Sequence, residues 1–138
     1  ARCLDLFAGS GVLGFESLSR GAAFVSFYEK NRKVASQIAE QAKILSAENY
    51  ELLNKDAVQF LSLKNGEPYH IVFCDPPFHQ GWSARLFPSL CNHPLVHQNA
   101  YIYLETEQKE ALSLPENWTI FREQQAGEVL CRLIKRLS

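Results

Sequence analysis

The chain has 138 residues, 46% apolar and 21% charged, with a formal net charge of −1. This is the make-up of one globular domain, large enough to bury a core without disulfide or metal staples. It argues against a chain that grips nucleic acid through charge alone, and no apolar run approaches the ~20 residues that span a bilayer.

Apolar periodicity divides the chain into alternating strands and helices. Cys3 to Phe7 reads as a strand, followed by a glycine-rich loop and a short helix from about Val12 to Ser19. Ala23 to Tyr28 is a second strand, after which Asn31 caps a helix in which Val34, Ile38, Ala42 and Leu45 recur at helical spacing. Tyr50 to Leu53 is the third strand, and Asp56 caps a short helix carrying Val58, Phe60 and Leu61. Tyr69 to Cys74, rich in β-branched and aromatic residues, is a buried fourth strand. Trp82 to Leu90 is helical, with Leu86, Phe87 and Leu90 on its apolar side and Pro88 kinking or shortening it. Tyr101 to Leu104 is the fifth strand.

The rhythm then changes. Trp118 to Glu123 and Val129 to Ile134 are strands joined by Gln124-Gln125-Ala126-Gly127-Glu128, a link too short for a helical crossover. The two must pair as a hairpin, with Gly127 in the turn. One α/β domain over residues 1–138 follows: a mostly parallel, seven-stranded Rossmann-like sheet ending in an antiparallel hairpin.

Chemistry concentrates at the carboxyl ends of these strands, where open α/β sheets bind ligands. Gly9-Ser10-Gly11-Val12-Leu13-Gly14 fits G-x-G-x-x-G between a strand and a helix, and Glu29 closes the second strand where a carboxylate can accept from ribose hydroxyls. That much fits NAD as well as any other adenosine cofactor. Asp5 inside the first strand suits the cationic methionyl part of S-adenosylmethionine, or else orients the glycine loop. Asp56 either accepts from an adenine amino group or only caps its helix. The fourth strand delivers Asp75-Pro76-Pro77-Phe78. The prolines stiffen the backbone and leave carbonyls free to accept, and the phenylalanine offers a ring on which a base can stack. Acceptors beside a ring suit a planar substrate bearing an amino group, and hydride transfer has no use for them. His79 and Gln80 adjoin that pocket.

Cys3, Cys74, Cys91 and Cys131 are widely spaced, without a C-x-x-C pair. Three of them (Cys3, Cys74 and Cys131) fall in strand-like runs, so buried thiols in a reducing cytoplasm are expected rather than disulfides or zinc ligands. His93 and His97 stand four apart with Pro94 between them, a poor start for a metal site. The opening Ala1-Arg2-Cys3-Leu4-Asp5 does not read as a signal peptide. With no methionine anywhere, the chain is expected to begin inside a longer gene product. Arg20, Lys30, Arg32, Lys33, Lys55 and Arg85 are candidates for a local basic patch, or simply solvated helix faces.

Leu4-Asp5-Leu6-Phe7-Ala8-Gly9-Ser10-Gly11, Gly14-Phe15-Glu16, Ser19-Arg20-Gly21-Ala22, Glu29-Lys30-Asn31 and Asp75-Pro76-Pro77-Phe78 together resemble the bacterial guanine-N2 methyltransferases of small-subunit ribosomal RNA, the methyltransferase D family. The likeness covers essentially the whole chain. It implies a class I methyltransferase fold, S-adenosyl-L-methionine as methyl donor, and a guanine of 16S ribosomal RNA in the assembling 30S subunit as acceptor, handled by a cytoplasmic monomer. Members of that family carry a basic segment upstream of the first cofactor strand. On this reading Asp5, Phe7, Ala8, Gly9, Ser10, Gly11, Glu29, Lys30, Asp56 and Ala57 bind the cofactor, while Asp75, Pro76, Pro77 and Phe78 hold the amine. Adenine N6 or a protein glutamine would suit the same acceptors, and a non-catalytic nucleotide-binding module would keep the same fold.

Overall fold

Seven strands join in one sheet, and the strand runs are held apart by helices that cover both faces. In the computed structural model, which describes residues 1–77, 81–107 and 112–137, the order along the chain is β1 (Arg2–Asp5), α1 (Val12–Ser19), β2 (Phe24–Tyr28), α2 (Arg32–Ile44), β3 (Tyr50–Leu53), α3 (Ala57–Leu61), β4 (Tyr69–Cys74), α4 (Trp82–Cys91), β5 (Val96–Glu107), β6 (Trp118–Ala126) and β7 (Val129–Arg136). The spatial order is β3-β2-β1-β4-β5-β7-β6. β1 to β5 pair in parallel, and β7 runs antiparallel to both β5 and β6.

Strand alternation sorts the core into two faces. Leu4, Val72, Ile102, Leu104 and Ile134 point to the side covered by Phe60 of α3 and Leu86, Phe87 and Leu90 of α4. Cys3, Val25 and Phe27 point the other way, against Ile38 of α2 and the partly buried Phe15 and Leu18 of α1. Each fully buried side chain of this size contributes roughly 1.5–3 kcal/mol relative to exposure. Gly14 permits one of these contacts. A Cβ there would stand 2.1 Å from Phe27 Cε1, so only glycine lets α1 lie this close to β2.

Several boundaries move from the sequence expectation. β1 stops at Asp5 rather than Phe7, because the chain then peels between its neighbours: Leu6 N–H donates to the Phe73 carbonyl and Ala8 N–H to that of Tyr28. β2 begins at Phe24. α4 passes through Pro88 unshortened and ends at Cys91. β5 is the largest departure, with twelve residues instead of Tyr101 to Leu104. Pairing with β7 runs as far as Glu107, which carries the strand past its apolar stretch. The hairpin turn shrinks to Gly127-Glu128, with Gly127 at φ 63°. That is the positive φ a glycine accepts without strain at the first position of a two-residue turn.

All four cysteines are free; Cys3, Cys74 and Cys91 are buried, whereas Cys131 is only half-buried. His93 Nδ1 accepts from the Leu95 N–H and its ring stacks on Phe60, while His97 lies against His70. Among the described residues no group of three or more His, Cys, Asp or Glu side chains is placed to hold a metal ion. Nor, among them, is any helix long and apolar enough to cross a membrane.

Candidate active site

β1 and β4 are adjacent, yet the chain leaves β1 toward β2 and β3 and returns to the other side for β4 and β5. Connections on opposite sides open a crevice at the carboxyl ends of such strands. A cleft of about 450 Å³ lies there. Leu6, Phe7 and Gly9 enter it from the end of β1; Tyr28, Glu29 and Lys30 from β2; Lys55, Asp56 and Ala57 from the start of α3; Asp75, Pro76 and Pro77 from β4.

The glycine loop is closed by its own chain. Gly9 N–H donates to Glu29 Oε1 at 2.8 Å, Gly11 N–H to the Ala8 carbonyl at 2.7 Å, and Gly14 N–H to the Asp5 carboxylate. Glu29 Oε2 also accepts from Asn31 N–H at 2.9 Å, so one side chain ties the loop to the start of α2. Asn31 in turn caps α2, accepting from the N–H groups of Lys33 and Val34. The glycine N–H groups are used internally, and the carboxylates of Glu29, Asp56 and Asp75 line the cleft around the loop. A pyrophosphate would find little to bind, and a cation would be favoured.

Asp5 sits behind this loop, 2% exposed, with Oδ2 unpartnered. Burial, with Asp75 and Glu29 adding their negative charge, pushes its carboxyl up to about 7 against the pull of the Gly14 N–H. An acid raised in the folded state favours folding below its unfolded pKa and loses that contribution as pH rises through its folded value. Asp5→Asn, which is neutral throughout, is therefore expected to flatten the fall in melting temperature of the wild-type chain between about pH 4 and 7. An unchanged slope would mean that Asp5 is not the group responsible.

Beyond the end of β3, Asp56 accepts from Val58 N–H while Gln59 reaches back to Asp56 N–H, a complete capping box that fixes α3 at the cleft. Asp56 lines the cleft while it caps, so the two roles are compatible. Asn54 donates to the carbonyls of Glu29 and Lys30 and locks the end of β2 to that of β3.

Asp75 stands on the cleft rim with an exposed side. Desolvation by the surrounding walls, then the charge and hydrogen bond of Glu105, push its carboxyl up to about 6. Glu105 is its lateral neighbour on β5, one step beyond the Cys74–Leu104 pair, and accepts from Tyr103 Oη–H at 2.8 Å.

Of the residues expected from the sequence, Phe7, Gly9, Glu29, Lys30, Asp56, Ala57, Asp75, Pro76 and Pro77 meet in this one cleft. Asp5, Ala8 and Gly11 are buried behind it, and Ser10 is exposed outside its lining. Phe78, His79 and Gln80 lie outside the described residues. Of the candidate basic patch, only Lys30 and Lys55 line the cleft; Arg20 pairs with Glu16 at the far end of α1. Leu6, Tyr28, Asn54 and Glu105 are not among the residues expected from the sequence, whereas Lys55 enters the site from the candidate basic patch. Glu105 was within reach, since Tyr101, Tyr103 and Glu105 alternate as one face of a longer β5.

A sheet with only its seventh strand reversed, holding a carboxylate-lined cleft at the β1–β4 switch, defines the S-adenosylmethionine-dependent methyltransferase class. The family described as Conserved hypothetical protein 95 matches residues 1–135. The ribosomal RNA small subunit methyltransferase D of Haemophilus influenzae is 42% identical over 136 residues, which cover 96% of this chain and 70% of that protein. The chain belongs to this methyltransferase D family. Among solved structures, the yhhF chain of Escherichia coli, named for a methyltransferase, matches with a TM-score of 0.92 at 40% identity, over 100% of this chain and 76% of its own. The SMU.776 chain, solved complexed with SAH, shares the fold alone: TM-score 0.81 at 13% identity, over 97% of this chain and 44% of its own.

Proposed function

We propose that this chain is the methyl-transfer domain of an enzyme that methylates the exocyclic N2 amine of a guanine in 16S ribosomal RNA within the assembling 30S subunit. The observation that carries the reading is the meeting of Asp75-Pro76-Pro77 with Glu29, Asp56 and the closed glycine loop in one cleft. The name of the Haemophilus influenzae relative supports ribosomal RNA as substrate. S-adenosylmethionine fits the donor set: it has an adenosine for Glu29 and Asp56, cationic groups for a carboxylate-rich floor, and no phosphate. When bound, it supplies an electrophilic methyl group.

The protein's own residues prepare the acceptor. Guanine N2 shares its lone pair with the ring and is a weak nucleophile. Asp75 and the Pro76 carbonyl accept from its N–H groups, turning the lone pair out of conjugation and toward the cofactor side of the cleft. The two fixed prolines keep these acceptors in place, and rate follows from holding reacting atoms roughly 3–3.5 Å apart. A guanine in structured RNA must first be unstacked, at a cost of a few kcal/mol.

The test uses the full-length protein with S-adenosylmethionine labelled in its methyl group. Label is expected in RNA of undermethylated 30S particles, on guanine N2, and not in DNA or in a glutamine-containing peptide. Label on adenine or glutamine would replace the substrate assignment; no transfer to any of them would leave a nucleotide-binding module.

A further inference from the structure

We infer that Glu105 and Asp75 act as one proton-accepting carboxylate pair, with Tyr103 holding Glu105 in position. The inference rests on the methyl-transfer reading and adds the fate of the proton. As the nitrogen–methyl bond forms, the methyl–sulfur bond breaks and its electron pair stays on sulfur. The amine nitrogen then carries a positive charge that is lost by releasing one N–H proton. Asp75 is the acceptor placed against that N–H, and a lone exposed carboxylate is a weak base.

The structure gives it a partner. β4 and β5 run in register to the Cys74–Leu104 pair, which sets Asp75 and Glu105 side by side at the cleft rim, where they can share a hydrogen bond once either is protonated. Two carboxylates in hydrogen-bonding contact hold one proton between them more readily than either holds it alone. Tyr103, two residues back on the same face, donates to Glu105 at 2.8 Å and shares a hydrogen bond with Cys131, the cross-strand neighbour of Glu105 on β7. Other titratable groups facing the pair are Asp5 behind the glycine loop and Glu107 further along the same face of β5. Glu105 touches no reacting atom and is a positioning residue that works through Asp75. The proton leaves to solvent from the exposed side of Asp75.

Opposed signs in two variants test this. In the full-length protein, Glu105→Gln removes the shared negative charge, so Asp75 ionises more easily; the acid limb of the kcat profile is expected to move down by about one pH unit. Tyr103→Phe removes the hydroxyl that donates to the pair, so its negative charge is held less well, and the limb is expected to move up. A residue that merely supports the strand would lower kcat without displacing the limb. The carboxyl carbon of Asp75, followed by NMR titration without RNA, should show the same two displacements. An unmoved titration in Glu105→Gln overturns the pair even if wild-type protein methylates nothing, whereas an inactive wild type with a displaced titration overturns the methyl-transfer reading alone. Should Glu105→Gln not fold, Glu105→Asp draws the carboxyl back by one methylene and is expected to lower the limb in the same direction.

Discussion

Asp75→Ala in the full-length protein is expected to lower the rate of methyl transfer about a hundred- to thousandfold, the range lost when one preorganised partner of a reacting group is removed. Cofactor affinity should change little, since Glu29, Asp56 and the glycine loop reach the cleft from other strands. The loss should therefore fall on kcat in single-turnover experiments. The pH dependence adds a second mark. Asp75 has its carboxyl raised to about 6, so it is an acceptor above that pH and becomes protonated below it. Wild-type transfer should fall as pH drops through about 6, and the variant's residual rate should lack that fall. Turnover by Asp75→Ala at the wild-type rate would remove Asp75 from the reaction.

Glu29→Ala is the second large effect, and it should appear in binding. The glutamate secures Gly9 and Asn31 through its two oxygens while lining the cleft. Removing it leaves two N–H groups to find water, frees the loop, and deletes the acceptor for ribose hydroxyls. Charge-assisted hydrogen bonds contribute about 1.5–3 kcal/mol each, so a weakening of at least about a hundredfold is expected in calorimetry with S-adenosylmethionine. The melting temperature should also fall, because the end of β2 loses its tie to the β1 loop. Cofactor affinity within a few-fold of wild type would show that the adenosine is held elsewhere.

Much of this arrangement was legible because the sequence states it locally. The succession of strands and helices along the chain, the capping roles of Asn31 and Asp56, and the hairpin come from periodicity and from residues that act within a few positions of themselves. The site was legible where a motif ends a strand, as at Glu29 and Asp75. What escaped depends on partners distant in sequence. Nothing near Glu29 announces that it closes the Gly9 loop across twenty residues of chain. Glu105 becomes meaningful only through the register that sets β5 beside β4, and β5 itself looked short because its polar ends are strand only by pairing with β7. Cys131 was expected inside by its apolar neighbours, but it is only half-buried, paired between Glu105 and Gln124.

Phe60 gives the cleft a dependence on distant parts of the core. α3 has only five residues, and its buried ring is the main anchor beneath the Asp56 cap. That ring is gripped edge-on by Tyr28 and Tyr69 and stacked on His93, whose loop sits at the opposite end of the sheet. A helix this short cannot redistribute a disturbance along its length, so a change of shape at His93 would tilt it as a rigid peg. The adenosine end of the cleft would then drift while the Asp75 end stayed fixed, and damage beneath the sheet would be felt first as a loss of alignment between the two halves of the reaction.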